Sequence, residues 1–553
     1  MKLLARLPAV IAAVLLVATF VAGGARLLRR DAPADPGRSE RIHLRFAHWH
    51  LQSGLREAYD ELIADYERLH PHVHVEQLVI PQRVWPAWHR TQLVGGTAPD
   101  LIELGTDRGL TDELLARYYV PLTPWIEAPN PYNAGTELAD VPWRQTFIDG
   151  LMSEGSFNPR LADFYGVPTA LFTIRIFYNR DLLRRITGSE EPPSTYAGLI
   201  ALCEQTRAWS EQRNLGIIPI AGSRVNAPLL LGAYLRSQLQ VASRDLASAY
   251  TLVADQRAGA VDAKTMAAAF LSGQWSFETP AIRDALDLAR EVGRQMQPGF
   301  AQLEREDATF AFTRGRALMI ATGTFDASSL RQEATFPLGV FALPLPGEDT
   351  PRFGRNVIGS PSEASKTLAG VFGLSRQSAH PEQAVDFLRF MTSRTNNARF
   401  AQRSEWLPVI VGLEAPESIQ AFTAVVEGPV DGADLTGQWL SLTGYNAIRR
   451  AFQNNQHLLF SPEGGTDVFI DRMQTALPAA FAADIRVRLR DNGLNIARAD
   501  PLIASWHVLS TTVADNPDAA RRRSLLLEAQ TQQEANSEEL RRLQEAAQRK
   551  STP

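Results

Sequence analysis

The sequence predicts an α/β protein built from more than one lobe. Its 553 residues are too many for a single hydrophobic core, so at least two lobes are expected. In the stretch 42–104, strand-like and helix-like apolar spacings follow one another in the order β-α-β-α-β. That order is typical of a mostly parallel sheet with helices on its faces.

The elements of this first stretch follow from apolar spacing and from stop signals. Residues 42–50 alternate apolar and polar side chains as a strand does. Residues 54–70 have the apolar spacing of an amphipathic helix, which Pro71 ends. A second strand, a second helix and a third strand are predicted at 72–80, 84–93 and 101–104.

The later part of the chain continues to mix strands and helices. Residues 164–183 are predicted to form one long strand that leads into a helix, and Ser194 and Thr195 suit the N-cap of a helix within 192–209. The other predicted elements are helices within 241–294, a helix end, turn and strand over 311–325, strands in 336–346 and 368–376, a helix at 380–393 and helices with turns over 442–481.

The N-terminal residues predict export. Lys2 and Arg6 precede an uncharged apolar run, 7–25, and arginines follow it. Residues 1–30 therefore fit both a cleaved signal peptide and an uncleaved membrane anchor, because about 20 apolar residues can span a bilayer. In either case the body is expected in the periplasm or on the extracytoplasmic face of the inner membrane. Residues 31–40 are rich in Pro, Asp and Gly and are predicted to be a linker.

Charge and cysteine content exclude some classes of protein. The net charge of −5 argues against a nucleic-acid-binding surface over the whole molecule. Cys203 is the single cysteine, which excludes an intrachain disulfide framework and a cysteine-based zinc site. His48 and His50 would lie on one face of a strand, but no third ligand is evident, so no metal site and no cofactor are expected.

The C-terminal stretch 516–553 is predicted to be a charged helix. It has helix-forming composition and lacks Gly, and a heptad seam can be drawn through it. Two central seam positions, Gln533 and Asn536, are polar, which leaves a solvated terminal helix and a weak coiled coil as alternatives. The proposed seam is Leu526, Ala529, Gln533, Asn536, Leu540, Leu543 and Ala547.

Four groups of motifs resemble the extracellular solute-binding proteins of carbohydrate ABC importers (family 1, the maltodextrin-binding type). They are "ADYERLHPHVHVE"; "GGTAPDLIEL"; "YGVPTALFTIRIFYNRDLL" followed by "EPPSTYAGLIALCEQ"; and "AFTRGRALMIATGTF" followed by "LAGVFGLSRQSAHPEQAVDFLRFMTS" and "LPV". The resemblance covers about 42–510. The N-terminal segment and the C-terminal helix lie outside it.

The resemblance implies a two-lobe periplasmic-binding-protein (Venus-flytrap) fold with three hinge crossings. The crossings are expected near Ala170, Thr322 and His380. Lobe 1 would then hold 41–170 and 323–380, and lobe 2 would hold 171–322 and 381–510. The ligand would bind between the lobes and be trapped when they close.

Polar and aromatic residues directly after predicted strands are the first candidates for ligand binding. In open α/β sheets, ligands bind beyond the carboxyl ends of the strands. Trp49 and His50 follow the first strand, and Asp107 and Arg108 follow the third. By resemblance, Asp107 and Arg108 match a pair that hydrogen-bonds sugar hydroxyls, with a surface ion pair or helix cap as the alternative. Trp49 could stack on a sugar face or pack in the core.

The remaining candidates are aromatic. By resemblance, Phe325 occupies the place of a ligand-stacking ring, and Phe172 stands in the crossing strand where a carboxylate is expected. Leu104 replaces a tryptophan before the Asp-Arg pair, so these departures argue against maltodextrin itself. Arg108, Arg175 and Arg314 leave an acidic sugar open. Further stacking candidates, for which packing is the alternative, are Trp406, Trp439 and Tyr445. Trp85 and Trp88 could also stack, but they lie on a predicted helix and are not included in the predicted site.

The resemblance implies a binding protein that captures a mono- or oligosaccharide and delivers it to membrane permease subunits. No G-x-S-x-G, P-loop or H-E-x-x-H motif is present, so an enzyme is not expected. No nucleic-acid partner is expected, and membrane contact would run through the N-terminal segment. The alternative is a membrane-tethered ligand sensor or assembly protein with the same fold. A carbohydrate enzyme is a second rival.

Overall fold

The computed structural model describes most of the chain from residue 41 onward. Four of the predicted ligand residues, Asp107, Arg108, Trp439 and Tyr445, and the N-terminal segment 1–30 lie outside the described residues. The residues that the structure describes are 41–104, 112–153, 155–158, 161, 163–250, 261, 263–363, 368–425, 428, 429, 431–435, 447–461, 463–513 and 517–551.

The first lobe is organised around a five-stranded sheet in the order β2-β1-β3-β11-β6. Strands β1, β2 and β3 are parallel to one another, as predicted, whereas β11 is antiparallel to both of its neighbours. The strands are β1 (Ile42–His48), β2 (Val73–Val79), β3 (Leu101–Glu103), β6 (Val167–Leu171) and β11 (Leu368–Leu374).

Helices cover this sheet and form the largest core with it. Tyr59 of α1 packs its ring on Phe46 and Phe400, all of which are buried, so α1 and α15 lie against the same face. The helices of this lobe are α1 (Ser53–Leu69), α2 (Trp85–Gly95), α3 (Asp112–Tyr118), α4 (Thr123–Ile126), α14 (Pro381–Met391) and α15 (Arg394–Ser404). A small ribbon, β4 (Phe157–Asn158) with β5 (Asp163–Phe164), and short 3₁₀ turns at Pro131–Asn133, Trp143–Thr146 and Glu417–Phe422 complete it.

The second lobe contains a four-stranded sheet in the order β10-β7-β9-β8. Only β8 and β9 are parallel, so the predicted parallel arrangement holds for the first sheet and not for this one. The strands are β7 (Ile174–Asn179), β8 (Ile218–Ala221), β9 (Ala317–Gly323) and β10 (Leu338–Phe341).

The helices of the second lobe begin with recognisable caps. Asn179 accepts a hydrogen bond from the Leu182 amide at the start of α5, and Thr195 accepts one from Gly198 at the start of α6, as its position predicted. The helices are α5 (Arg180–Thr187), α6 (Tyr196–Arg213), α7 (Asn226–Ser237), α8 (Gln240–Tyr250), α9 (Ala263–Leu271), α10 (Pro280–Gly293), α11 (Arg305–Thr313), α12 (Ala327–Glu333) and α13 (Pro351–Gly354), with 3₁₀ turns at Phe300–Gln302 and Thr324–Asp326.

The stretch predicted as one long strand, 164–183, is divided between the two sheets. Val167–Leu171 pairs in the first sheet and Ile174–Asn179 in the second, so the chain crosses between the lobes at Phe172 and Thr173. The crossing lies close to the predicted position near Ala170. Almost all residues of both strands are buried, so the apolar pattern of the sequence does not mark the break.

The lobe boundaries as a whole remain a prediction, but the described elements depart from them at two points. Leu338–Phe341, placed in lobe 1 by the prediction, pairs with β7 of the second sheet. Helices α14 and α15, placed in lobe 2, pack instead into the core of the first sheet. Gly359 still accepts a hydrogen bond from Gln240 of the second lobe, and Leu368 pairs with Leu171 of the first sheet, so the return falls between these residues. Phe422 packs in the core of the first sheet and Asp431 pairs with Arg236 of the second lobe, so the last departure falls between those two.

The chain after 446 forms three helices: α16 (Ala447–Phe460), α17 (Thr466–Thr512) and α18 (Pro517–Ser551). Helix α17 starts in a core with α9, α10 and α16, and α18 returns antiparallel along it. Of the predicted seam, Leu540 and Ala547 are fully buried and Leu543 is partly buried. In the described part of the chain, no helix has both the length and the apolar character needed to cross a bilayer.

Candidate functional site

The carboxyl ends of β1 and β3 bring a histidine and a glutamate together. His50 Nε2 lies 2.7 Å from Glu103 Oε1, and the Glu103 side chain is only 1% exposed. The backbone N–H of Trp49 donates to the other carboxylate oxygen of Glu103, at 3.4 Å. The carboxylate of Glu103 therefore fixes the chain where it leaves β1.

His48, the last residue of β1, contacts the backbone of His50 and helps to fix its position. Burial, with a further contribution from the nearby His50, lowers the pKa of His48 to about 3, so its ring is neutral at neutral pH. His48 Nε2 lies 2.8 Å from Gln77 Oε1, and its Nδ1 accepts the His50 backbone N–H at 3.2 Å. Both contacts are satisfied by one tautomer, with the proton on Nε2.

Four rings form a continuous chain beside Glu103, which we call the aromatic row: Trp85, Trp49, His50 and Trp406. Adjacent ring centroids are 5.1 Å apart for Trp85 and Trp49, 5.2 Å for Trp49 and His50, and 4.9 Å for His50 and Trp406. These spacings are typical of favourable aromatic contacts. Trp85 and Trp406 are each 2% exposed, whereas Trp49 is half-buried.

Several buried polar atoms at the aromatic row lack a hydrogen-bond partner in the described structure. Two are donors, the indole N–H groups of Trp85 and Trp406. Two are acceptors in residues close in the chain to His50 and Trp406, namely Gln52 Oε1 and Glu405 Oε2; the other carboxylate oxygen of Glu405 pairs with Arg331. Unpaired buried polar atoms are uncommon in native proteins and call for a physical reason. A ligand hydroxyl can donate and accept, so it can pair with either kind of atom.

The aromatic row ends at the crossing between the lobes. The amide of Leu171 donates to the carbonyl of Leu407, at 2.9 Å, which places Trp406 next to the crossing residue Phe172. The Phe172 ring makes an edge contact with Phe325, with centroids 5.4 Å apart. Rings contributed by both sheets therefore meet at this edge.

A cation lies beside Phe325. The guanidinium of Arg305 lies 5.4 Å from the centre of the Phe325 ring and is paired with Asp326. Burial lowers the pKa of Arg305, and Asp326 also accepts the hydroxyl of Thr322 at 2.6 Å. A guanidinium over an aromatic face adds a donor group to an otherwise apolar pair.

The structure brings together five of the nine predicted ligand residues. Trp49, His50 and Trp406 lie in the aromatic row, and Phe172 and Phe325 form the neighbouring pair. The positions of Asp107, Arg108, Trp439 and Tyr445 fall outside the described residues.

Three further observations differ from the sequence reasoning. Arg175, considered for an acidic sugar, is 5% exposed and bonded to Glu363 and to backbone carbonyls, so it is not open to a ligand. Glu103 was not singled out, because one acidic residue ending a short apolar strand gives little signal. Trp85 was noted as a stacking candidate but omitted from the predicted site, since its helical position favours packing.

A family model described as bacterial extracellular solute-binding protein matches residues 63–426, more than half of the chain. The chain belongs to this family. The resemblance seen in the sequence is thereby confirmed at the level of a solute-binding protein, and the family description places the protein outside the cytoplasm. The match ends before α16, so the three C-terminal helices lie beyond it.

Relatives of this solute-binding protein are distant in sequence. A protein of Brucella abortus (strain 2308) that is named only as a binding protein is 22% identical over 390 residues, covering 70% of this chain and 79% of its own length. A protein of Brucella suis biovar 1 (strain 1330) named in the same way gives the same values.

Solved structures confirm the two-lobe fold. A chitin oligosaccharide binding protein superimposes with a TM-score of 0.53 at 16% identity, covering 80% of this chain and 99% of its own. The GacH receptor of Streptomyces glaucescens, described unliganded and with acarbose, gives a TM-score of 0.52 at 15% identity, covering 79% of this chain and 98% of its own. At such identities the likeness defines the fold alone.

Proposed function

We propose that this solute-binding protein captures a carbohydrate between its lobes and delivers it to the permease subunits of an ABC importer. The lobes would close on the ligand, with the aromatic row on one side and the Phe172–Phe325 pair at the hinge edge. Support comes from structurally similar proteins described with a chitin oligosaccharide or acarbose. Family membership supports binding rather than catalysis.

The observation that carries the proposal is the set of unpartnered polar atoms at the aromatic row. A purely apolar ligand would leave the indole N–H groups of Trp85 and Trp406 unpaired, and a simple cation offers them no acceptor. A sugar offers hydroxyls to the donors and acceptors and apolar C–H faces to the rings. Among common solutes, the carbohydrate class therefore fits the arrangement best.

Predicted residues outside the described part are included in this proposal. Asp107 and Arg108 follow β3 in the chain, four and five residues after Glu103. Because β3 ends beside the aromatic row, we place this pair among the ligand contacts. Trp439 and Tyr445 would add stacking surfaces from the second lobe.

The transport steps and the membrane contact also belong to the proposal. The apolar run 7–25 would act as a signal peptide or as an anchor that keeps the protein beside its transporter. An anchored binding protein would raise the local ligand concentration at the permease. Its partners would then be the carbohydrate and the permease subunits.

The test is a titration of the full chain, in mild detergent, with chito-, xylo- and malto-oligosaccharides and with an acidic oligosaccharide. A ligand of the native state raises the unfolding midpoint in proportion to ln(1 + [L]/Kd), so a saturable rise is expected for one sugar class. The Asp107→Ala variant should weaken that response. A cooperatively unfolding protein with no response to any sugar would contradict the carbohydrate proposal.

A sensor or assembly role is the second candidate, and the three helices beyond the family match favour it. Sugar-dependent growth of cells that lack the protein separates the two functions. An importer component restores growth even when the hairpin is shortened at the paired residues Asn492 and Ser537, which keeps the buried parts of α17 and α18. A sensor or assembly protein does not restore uptake. Turnover of the sugar during the titration would support an enzyme instead.

A further inference from the structure

The aromatic row continues at its outer end into Trp88. The ring centre of Trp88 lies 5.2 Å from that of Trp85, and Trp88 is only partly buried. It belongs to the first turn of α2, which follows β2 and so lies at the carboxyl edge of the first sheet, as the row does. On the turns that leave β1 and β2, Leu51 (56% exposed) and Val84 (45%) add open apolar surface. The apolar lining of this edge thus extends past the row toward the rim of the lobe.

Together these rings span the width of the first sheet. In the strand order β2-β1-β3-β11-β6, Trp88 follows one edge strand and the crossing residue Phe172 follows the other. The carboxyl ends of β2, β1, β3 and β6 share one edge of the sheet, because these four strands run in the same direction. Neighbouring strands lie about 4.8 Å apart, so four steps across the sheet cover roughly 19 Å. A single sugar ring is far shorter than this line of rings.

The line offers stacking surfaces at several places and hydrogen-bonding atoms near both ends. Four of its rings are only partly buried and keep a face on which a sugar can stack, namely Trp88, Trp49, Phe172 and Phe325. The two indole N–H groups that lack a partner among the described residues belong to the buried Trp85 and Trp406. Trp85 lies on the helix after β2, whereas Trp406 precedes Leu407, which is hydrogen-bonded to Leu171 of β6. Separate sugar units are therefore needed to reach both donors.

We propose that the ligand is an oligosaccharide of three or more units that lies along this line, with Trp88 as its outermost stacking surface. The inference rests on the proposed function, the capture of a carbohydrate, and defines the size of that ligand. One unit would contact the Phe172–Phe325 pair at the hinge edge, and further units would stack on Trp49 and Trp88. A monosaccharide or disaccharide at the hinge edge would leave Trp88 uncovered and the Trp85 N–H unpaired.

Calorimetric titration of the full chain, in mild detergent, with the mono- to hexasaccharides of the chito-, xylo- and malto-series tests the proposal. In the series that binds, we expect the dissociation constant to fall with each added unit up to the trisaccharide or beyond and then to level off. A dissociation constant that is already lowest for the monosaccharide or disaccharide would overturn the inference and leave carbohydrate capture intact. No binding in any series would overturn the inference together with the proposed function.

The variant Trp88→Ala tests the outermost stacking surface. It should raise the dissociation constant of the hexasaccharide by roughly tenfold and leave that of the disaccharide unchanged, because only the longer ligand reaches this ring. Trp125→Ala is the matched control and should change neither value. Trp125 is also partly buried in the first lobe, but its N–H donates at 2.9 Å to Glu382, at the start of α14 near the opposite edge of the sheet. Equal weakening of both sugars by Trp88→Ala would indicate a general disturbance of the lobe and would overturn the role given to Trp88.

Discussion

Arg175 and Glu363 form two parallel hydrogen bonds, Nη1 to Oε1 at 3.0 Å and Nη2 to Oε2 at 3.1 Å, where the segments that join the lobes meet. Arg175 also donates to the carbonyl oxygens of Ala421 and Thr423. Glu363 in turn accepts the amide of Val425. The buried guanidinium of Arg175, in β7, thus connects Glu363, which precedes β11, with residues 421–423, which end the first-lobe part of the chain.

Arg175→Met should lower the free energy of unfolding by about 3 kcal/mol or more, because it leaves the carboxylate and two carbonyls without their donor. The measurement is chemical denaturation. Arg403→Met is a matched control, since Arg403 pairs with Glu57 and Glu61 at an exposed site and should cost less than about 1 kcal/mol. Equal losses in the two variants would contradict the role given to Arg175.

Trp406→Phe should weaken sugar binding by about tenfold while changing stability little beyond the smaller ring. The variant retains an aromatic ring but removes an N–H that has no partner among the described residues. Trp143→Phe serves as the control, because the Trp143 N–H donates to Thr392 at 3.0 Å inside the first lobe. That variant should lose about 1 kcal/mol more stability and bind sugar normally. Calorimetric titration and denaturation together decide between these outcomes.

Acidification should destabilise the protein through His48. Its pKa is about 3 when folded and 6.5 ordinarily, so the unfolded chain takes up the proton first as the pH falls below 6.5. This one group should lower the free energy of unfolding by about 2 kcal/mol between pH 8 and pH 5. His48→Gln should remove that dependence. Burial also lowers the pKa of His89 to about 4, so His89→Gln should likewise reduce the loss of stability on acidification.

Asp484 should have the opposite effect on acidification. Burial raises its pKa to about 6, so the folded state takes up a proton before the unfolded chain does. Its protonation should add about 1 kcal/mol of stability between pH 8 and pH 5. Asp484→Asn keeps one acceptor oxygen for the amides of Ala447 and Ile448 but cannot take up a proton, so it should make the loss of stability with acid steeper. A shallower pH profile in the variant would contradict this assignment.

Local patterns in the sequence were sufficient for the elements of the first lobe. The spacing of apolar residues over 42–104 predicted three strands and two helices that the structure contains with small shifts at their ends. The break at Phe172 and Thr173 was harder to see, because the residues of both strands are almost all buried and no change of apolar spacing marks the crossing. The partner of β10 could not be read at all, since strand pairing depends on residues more than 150 positions away.

The sequence predicted only those parts of the candidate site that have a local signal. Trp49 and His50 were found because the rule for strand ends is local. Trp85 and Glu103 join the aromatic row only through packing between different elements, which a single sequence does not display. Arg175 was misjudged as a ligand group because its partner Glu363 lies 188 residues further along the chain.

The length of α17 has a mechanical consequence. Its first half is fixed in the core of the second lobe, while the 20 residues after Asn492 extend for ~30 Å along α18. Any rotation of the second lobe about the hinge would therefore move this extension of the helix, and its far end would travel further than the hinge residues do. If the lobes close on a ligand as proposed, a small movement at the cleft would become a larger displacement at the far end of α17.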